Sequence, residues 1–273
     1  MTDVVSYTLE GTIGVIRVNN PPVNALSHGV RSGMADALSI AAEDTSEAVV
    51  ILCEGRTFIA GADITEFGKP PKPPFLPDLL AQLDNHPKLT VAAIHGTALG
   101  GGFETALSCN YRVALASAKV GLPEVKLGLL PGAGGTQRTP RLAGVATSIE
   151  LMTSGNPIPA DAALQKGLID HVAGDNLAEE AIAYAKQLVA DQAPKRQASA
   201  ITLTLNEADR ELISKARSNL AKKTRGESAP QRIIDCIEAS AELDFDGIKA
   251  RARTVYGLHG RSPVCRASPH VFC

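Results

Sequence analysis

Thr90-Val91-Ala92-Ala93-Ile94, followed by His95-Gly96-Thr97-Ala98-Leu99-Gly100-Gly101-Gly102-Phe103-Glu104, is the stretch on which the fold turns. Its first five residues are a β-branched and apolar run of strand length. Three contiguous glycines follow, and then an apolar helix start, Phe103-Glu104-Thr105-Ala106-Leu107. A strand, a glycine turn and a helix make one βα unit, and the turn leaves free main-chain N–H groups at the helix N-terminus. Without side chains in the way, a ligand oxygen can approach that backbone closely. Such a terminus holds negative charge, either a phosphate or an oxyanion. The spacing is not G-x-G-x-x-G, because Glu104 stands where the last glycine belongs, and no Lys-Ser/Thr follows to make a phosphate loop. Gly132-Ala133-Gly134-Gly135 also misses the dinucleotide spacing. A glycine cluster at such a turn serves close packing as readily as catalysis, so both readings stay open.

The surrounding sequence extends the βα pattern. Val4–Leu9 and Ile13–Val18 flank Glu10-Gly11-Thr12 as a hairpin, and Pro21-Pro22 stops the second strand. Val30, Met34, Ala37, Leu38 and Ala41 recur at helical spacing from Ser27, a plausible cap, to about Ala42. Ala48–Cys53 is a continuous apolar run, and Tyr111–Ala116 resembles it. Strands apolar on both faces, alternating with helices, imply an α/β fold with mostly parallel pairing. Lys69–Pro77 is so rich in proline that it reads as a stiff surface loop bordering a pocket.

The second half becomes mainly helical. Asn176 and Glu179 form a capping pattern ahead of Leu177, Ala181, Tyr184, Ala185 and Leu188. One further helix carries Ile213, Ala216 and Leu220, and another carries Ile234, Ile237 and Ala241. The polar segment Ala193–Ala200 marks a boundary. The expected division is a core over 1–192, a helical C-terminal segment over 193–250 and an irregular tail over 251–273. After Asp246 no acidic residue occurs and the helical period is lost, which reads either as a frayed terminus or as an end set by a reading-frame change in a longer gene.

With 273 residues, 44% hydrophobic and 21% charged, the chain can bury a sizeable core. A net charge of −2, with 27 Lys+Arg spread against 29 Asp+Glu, supplies no basic face for nucleic acid or an anionic membrane. No apolar run approaches the ~18 residues that span a bilayer. The five scattered cysteines lack metal or disulfide spacing. Cys53 and Cys109 read as core thiols, and a reducing intracellular compartment is expected. His95 is better read as a structural histidine than as half of a Ser-His site, and Lys69 and Lys72 as a solvated loop rather than phosphate ligands.

Two further stretches carry chemistry: Phe58-Ile59-Ala60-Gly61-Ala62-Asp63-Ile64, and Gly121-Leu122-Pro123-Glu124-Val125-Lys126-Leu127-Gly128 leading into Pro131-Gly132-Ala133-Gly134-Gly135-Thr136-Gln137. Glu104 lies in apolar surroundings, where a lone carboxylate is costly to bury without a partner. Glu124 follows Pro123 between apolar segments. The pair cannot share a helix face, but successive βα turns can bring them together. Paired carboxyls beside an oxyanion site suit water addition, one orienting the water and both moving protons. A helix-cap glutamate and a surface glutamate are the plainer alternative.

Taken together, in order and spacing over Val4–Val172, these segments resemble the enoyl-CoA hydratases of the crotonase superfamily. Phe58–Ile64 is similar to the family's first coenzyme-A-binding segment, Asn24-Ala25-Leu26 to its early N-A-L element, and Ala98–Glu104 with Pro123–Gly128 to its signature region. The resemblance implies a crotonase-type spiral of ββα turns with a helical C-terminal segment. It implies that Ala62 N–H and Gly101 N–H form an oxyanion hole for the thioester carbonyl. Glu124 then exchanges the α-carbon proton, and Glu104 holds and activates water. Substrate would be held by Ala25, Leu26, Ala60, Gly61, Asp63, Ile64, Gly100, Pro131 and Gly132. The implied reaction is hydration of trans-2-enoyl-CoA to 3-hydroxyacyl-CoA in fatty-acid β-oxidation, with Δ3-Δ2-enoyl-CoA isomerisation alongside it. No metal and no cofactor is implied beyond the coenzyme A of the acyl-CoA substrate.

Phe58–Phe67 and Ala229-Pro230-Gln231-Arg232-Ile233-Ile234 look most like the N-terminal hydratase half of multifunctional fatty-acid oxidation enzymes, in which a 3-hydroxyacyl-CoA dehydrogenase follows. Stand-alone hydratases form homotrimers and hexamers, whereas a chain of the multifunctional kind need not, so a monomer is the other expectation. The expected compartment is the cytoplasm, with the peroxisome or mitochondrion as alternatives for a eukaryotic chain. The rivals are an enoyl-CoA isomerase or another crotonase-superfamily acyl-CoA enzyme and, from another class, a non-catalytic RNA-binding protein of the same fold.

Overall fold

The structure, a computed structural model, describes residues 2–66, 68–223 and 227–245. The expected irregular tail over 251–273 lies outside the described residues. The chain runs β1 (Val5–Glu10), β2 (Ile13–Val18), α1 (His28–Glu43), β3 (Ala48–Cys53), α2 (Leu76–Asp84), β4 (Leu89–Ile94), β5 (Thr97–Leu99), α3 (Gly101–Ser108), β6 (Tyr111–Leu115), β7 (Lys119–Gly121), α4 (Gly135–Ser154), β8 (Ile158–Pro159), α5 (Ala160–Gln165), β9 (His171–Ala173), α6 (Leu177–Ala190), α7 (Glu207–Lys223) and α8 (Ala229–Glu242).

The strands form two sheets. The larger has the order β1-β2-β3-β4-β6-β9, with β1 antiparallel to β2 and every later neighbour parallel. The smaller has the order β5-β7-β8. From β4 onward the chain alternates between them: β4 and β6 enter the large sheet, while β5 and β7 branch off into the small one before the chain turns into helix. This alternation winds the chain into a spiral and stacks β5 beside β7, with Leu99 opposite Gly121.

The sequence explains the elements. All six residues of β3 are buried, as a strand covered on both faces requires, and each large apolar side chain there contributes about 1.5–3 kcal/mol. Ser27 caps α1 by accepting the Val30 N–H, and Asn176 caps α6 by accepting that of Glu179. The Glu179 side chain does not complete a capping box; it is Glu180 that reaches back, accepting the Gly174 N–H at 3.0 Å.

The proline-rich stretch behaves differently at its end. Pro77 falls in the first turn of α2 rather than in a loop, a position where its missing N–H had no helical partner to lose. The loop before it is fastened to α1, with Arg31 Nε donating to Pro74 O at 2.9 Å.

The main core contains residues of α1, β3, β4 and α3 together with Leu205, just before α7, and Ile213, Ile233, Ile234 and Ile237 from α7 and α8. A second cluster lies under α6 on the other face of the large sheet. The polar stretch after α6 is tied down too: Tyr111 Oη donates to Pro194 O at 2.8 Å, and Asn110 Nδ2 donates to Arg196 O at 3.1 Å. Cys53, Cys109 and Cys236 are free and buried, and burial pushes the Cys109 thiol up to about 12. Among the described residues, no helix is long and apolar enough to cross a membrane.

Candidate active site

The three motif stretches converge. The chain over 58–62 threads between two others: Leu26 N donates to Gly61 O at 2.9 Å, and Leu99 N donates to Ile59 O at 3.1 Å. Bridges pair Leu26 with Ala62 and Ile59 with Ala98. Asn24 locks this arrangement from below. It sits at a φ of 51° and donates from Nδ2 to Glu54 O at 2.7 Å and Thr57 O at 2.8 Å. The N-A-L element therefore has a physical role in its first residue as well as in Ala25, half-buried, and Leu26, buried.

Gly101 is the first residue of α3, so its N–H has no intrahelical acceptor. A side chain built on it would stand 3.8 Å from Ala62 N, 3.1 Å from Leu26 Cδ1 and 2.9 Å from Leu76 Cδ2. The amide nitrogen of Ala62 thus lies close beside residue 101. Leu76 packs against the same residue, a neighbour the sequence did not disclose because it begins a helix at the end of a proline run. Gly102 is a packing glycine, since a Cβ there would lie 2.1 Å from Ile59 O. The triple glycine serves packing and an open backbone at once.

Glu104, one turn into α3, is only 2% exposed. Its Oε1 accepts from Ala133 N at 2.8 Å and Gly135 N at 2.7 Å. Gly135 opens α4, so the carboxyl caps that helix and meets its positive end. The Pro131–Gly135 turn therefore holds a side chain of its own protein. A Cβ at Gly135 would meet Pro131 Cβ at 2.8 Å and Glu104 Oε1 at 3.0 Å, which explains the glycine. Burial pushes the Glu104 carboxyl above the usual range, while the two amides and then Arg138 act in the opposite direction.

Glu124 stands in a short 3-10 helix over Pro123–Leu127, closed by Gly128 in the left-handed region. The parallel pairing of β5 with β7, extended by Gly100 N donating to Gly121 O at 2.9 Å, brings it beside α3. A Cβ at Gly100 would touch Glu124 Oε1 at 3.1 Å. The residue as a whole is half-buried, yet Oε2 is shut off from solvent and has no hydrogen-bond partner. Desolvation, and then the charge of Glu104, raise its pKa to about 8. The two carboxyls act on each other electrostatically. Glu104 is held by two main-chain donors that favour its charge, whereas Glu124 has only its own main-chain N–H and an unpartnered Oε2.

Of the remaining sequence candidates, Ala60 and Gly61 line the threaded segment. Pro131 is buried and Gly132 half-buried in the turn under Glu104. Asp63 Oδ1 accepts Thr65 N at 2.9 Å in a local turn, and Ile64 is 74% exposed. Neither is drawn toward the carboxyls by any contact seen here.

A spiral α/β chain that brings a buried glutamate of α3 near a second carboxyl after β7 has the architecture of the crotonase class. Comparison with known proteins is consistent with that geometry: the chain belongs to the enoyl-CoA hydratase/isomerase family, whose sequence profile matches residues 8–231. It is 40% identical over 239 residues to the peroxisomal bifunctional enzyme of Danio rerio, covering 87% of this chain and 33% of that one. It is 39% identical over 212 residues to the protein named "Probable enoyl-CoA hydratase" of Bacillus subtilis strain 168, covering 74% and 81% respectively. Among solved structures, the enoyl-CoA hydratase from Bacillus anthracis superposes with a TM-score of 0.65 at 27% identity, over 93% of this chain and 97% of that one. The chain spans about one third of the length of the peroxisomal bifunctional enzymes it matches.

Proposed function

We propose that this chain hydrates trans-2-enoyl-CoA to 3-hydroxyacyl-CoA, with Glu104 and Glu124 as its acid–base pair and the amides of Ala62 and Gly101 as its oxyanion hole. The single observation that carries the reading is the contrast between the carboxyls, one held by two main-chain N–H donors and one with a buried, unpartnered oxygen, close to residues 62 and 101.

The chemistry balances with these groups alone. Glu104 takes a proton from water as the water oxygen bonds to the β-carbon. The π electrons of the double bond move through the α-carbon onto the thioester oxygen, and the two N–H groups meet the developing negative charge. Glu124 delivers its proton to the α-carbon as the enolate collapses back to the carbonyl. The net change is one water added, and the proton held on Glu104 returns to Glu124 to reset the pair. Losing one oxyanion donor typically costs about 10²–10³ in rate, and a positioned acid–base group contributes about 10²–10⁴.

Substrate contact falls to the segment over Ala60–Ile64, to Ala25 and Leu26, and to Gly100, Pro131 and Gly132. At the same site an ionised Glu124 can take the α-carbon proton of a 3-enoyl-CoA, and the resulting dienolate, its charge met by the two N–H groups, takes that proton back at the γ-carbon, which shifts the double bond into conjugation.

The test is to incubate the protein with 2-enoyl-CoA and 3-enoyl-CoA in 18O-labelled water and identify the products by mass. The reading expects 3-hydroxyacyl-CoA carrying one 18O. Double-bond migration without oxygen incorporation would leave only the isomerase activity.

A further inference from the structure

The geometry points to Arg138, held by Asp84, as the positioning residue for Glu104, gripping the turn whose main-chain N–H groups fix that carboxyl. The inference rests on the reading of Glu104 as the water-activating base.

Arg138 lies on α4, one turn after Gly135. Its Nη1 donates to Ala133 O at 3.1 Å, and the N–H of the same residue donates to Glu104 Oε1 at 2.8 Å. One peptide residue thus links the guanidinium to the carboxyl. The backbone N of Arg138 also donates to Gly134 O at 2.8 Å. Gly134 adopts a φ of 111°, and a Cβ there would fall 2.2 Å from Arg138 Nη1, so the turn closes directly onto the guanidinium. On its other side Nη2 pairs with Asp84 Oδ2 at 3.3 Å, Asp84 being the last residue of α2. Phe245 covers the guanidinium, its ring centroid 4.7 Å from Cζ.

The pair is an improbable device for stability. Both residues are buried, at 1% and 2% exposure. The contact is long, and Asp84 Oδ1 and Arg138 Nε have no hydrogen-bond partner. Buried ion pairs of poor geometry seldom recover their desolvation cost. What this one does provide is a fixed strut between α2, which also walls Gly101 through Leu76, and the turn under Glu104. The charged groups around Glu104 are Glu124 from the Pro123–Leu127 helix and Arg138 from α4. Arg138 in turn faces Asp84 from α2, Cys109 just past the end of α3 and Arg141 on α4. Among the described residues Arg138 is the cation that acts on the Glu104 carboxyl, and it favours the ionised form.

The experiment uses the full chain and the neutral double variant Asp84→Asn/Arg138→Met, which removes the strut without stranding a charge. The pair lines a cavity of about 270 Å³. Two readouts are taken: kcat and KM for crotonyl-CoA, and titration of the Glu104 carboxyl by 13C NMR, assigned with Glu104→Gln. The expected result is a kcat lower by about 10–100-fold with a nearly unchanged KM, as a small misplacement of a catalytic group produces. The Glu104 titration should move to higher pH, since a cation and the geometry of two donors are lost together. An unmoved Glu104 titration overturns the inference whatever happens to kcat. If the double variant does not fold, Arg138→Lys decides: one ammonium cannot span Asp84 and Ala133 O, so a several-fold loss of kcat supports the strut and a wild-type kcat refutes it. A wild-type protein without hydratase turnover would defeat the proposed function, and the NMR titration would still answer whether Arg138 controls Glu104.

Discussion

Glu104 and Glu124 share one site in opposite surroundings. Glu104 Oε1 takes N–H bonds from Ala133 and Gly135 at 2.8 and 2.7 Å, whereas Glu124 Oε2 is buried with no partner at all. Glu104 thus has two donors that favour its ionised form where α4 begins, whereas desolvation and the charge of Glu104 raise Glu124 to about 8. In the proposed reaction that asymmetry divides the labour between an acid for the α-carbon and a base for water.

The first consequence is a pH profile. Glu124, with a pKa raised to about 8, must be protonated to donate in the hydration direction. Hydration is expected to hold through neutral pH and to fall as pH rises through about 8. Dehydration of 3-hydroxyacyl-CoA uses the same pair holding one proton, on Glu104 instead, and the overall reaction takes up no net proton, so its kcat/KM should fall over the same interval. kcat/KM in both directions from pH 6 to 10 checks this; a rate that holds steady or rises from pH 7 to 10 would contradict it.

The same shift has a stability cost of definite sign. An unfolded glutamate ionises near 4.3, so between that value and about 8 the folded protein holds a proton that the unfolded chain has released. Stability accordingly decreases with rising pH over that window. Glu124→Gln removes the penalty and is expected to raise the thermal midpoint by roughly 2–4 °C for each ~1 kcal/mol recovered, more at pH 9 than at pH 6. Calorimetry at the two pH values measures it.

Much of this was legible before any coordinates. The apolar runs of β3 and β4 and the cap at Ser27 announce themselves, because burial on both faces and helix capping leave one-dimensional signatures. The glutamate pairing was legible only as a capacity: what joins 104 to 124 is the register of β5 with β7, two three-residue strands too short to show a period. The partner of Glu104 was hidden for a different reason. Ala133 and Gly135 act through main-chain N–H groups, which no side-chain pattern reveals. Pro77 was misjudged because proline excludes helix interiors but favours helix starts.

The glycines make separable predictions. Gly102→Ala forces a Cβ to 2.1 Å from the Ile59 carbonyl oxygen, a backbone atom that cannot swing away, and is expected to destabilise by about 3 kcal/mol or more. Gly101→Ala meets only the ends of Leu76 and Leu26, so it should fold and yet lose rate by crowding the amides. Denaturant melts combined with kcat for each variant tell the two apart.

Asn24→Ala removes three hydrogen bonds, two donated to Glu54 O and Thr57 O and one accepted from Asn20 N, from a residue at a φ of 51°. The expected loss is about 2–3 kcal/mol, because two buried carbonyls lose their donor and alanine resists that backbone. The segment carrying Ala62 should loosen with it. Hydrogen exchange over residues 58–62 reports that effect directly, and unchanged protection there would be contrary.

The most direct trial of the whole arrangement is steady-state hydration of crotonyl-CoA by wild type and Glu124→Gln, followed as loss of the conjugated thioester absorbance, with acyl-CoA affinity measured in parallel. The account predicts turnover by the wild type and at least ~10²-fold less by the variant at similar affinity. A Glu124→Gln protein that hydrates at the wild-type rate would contradict it.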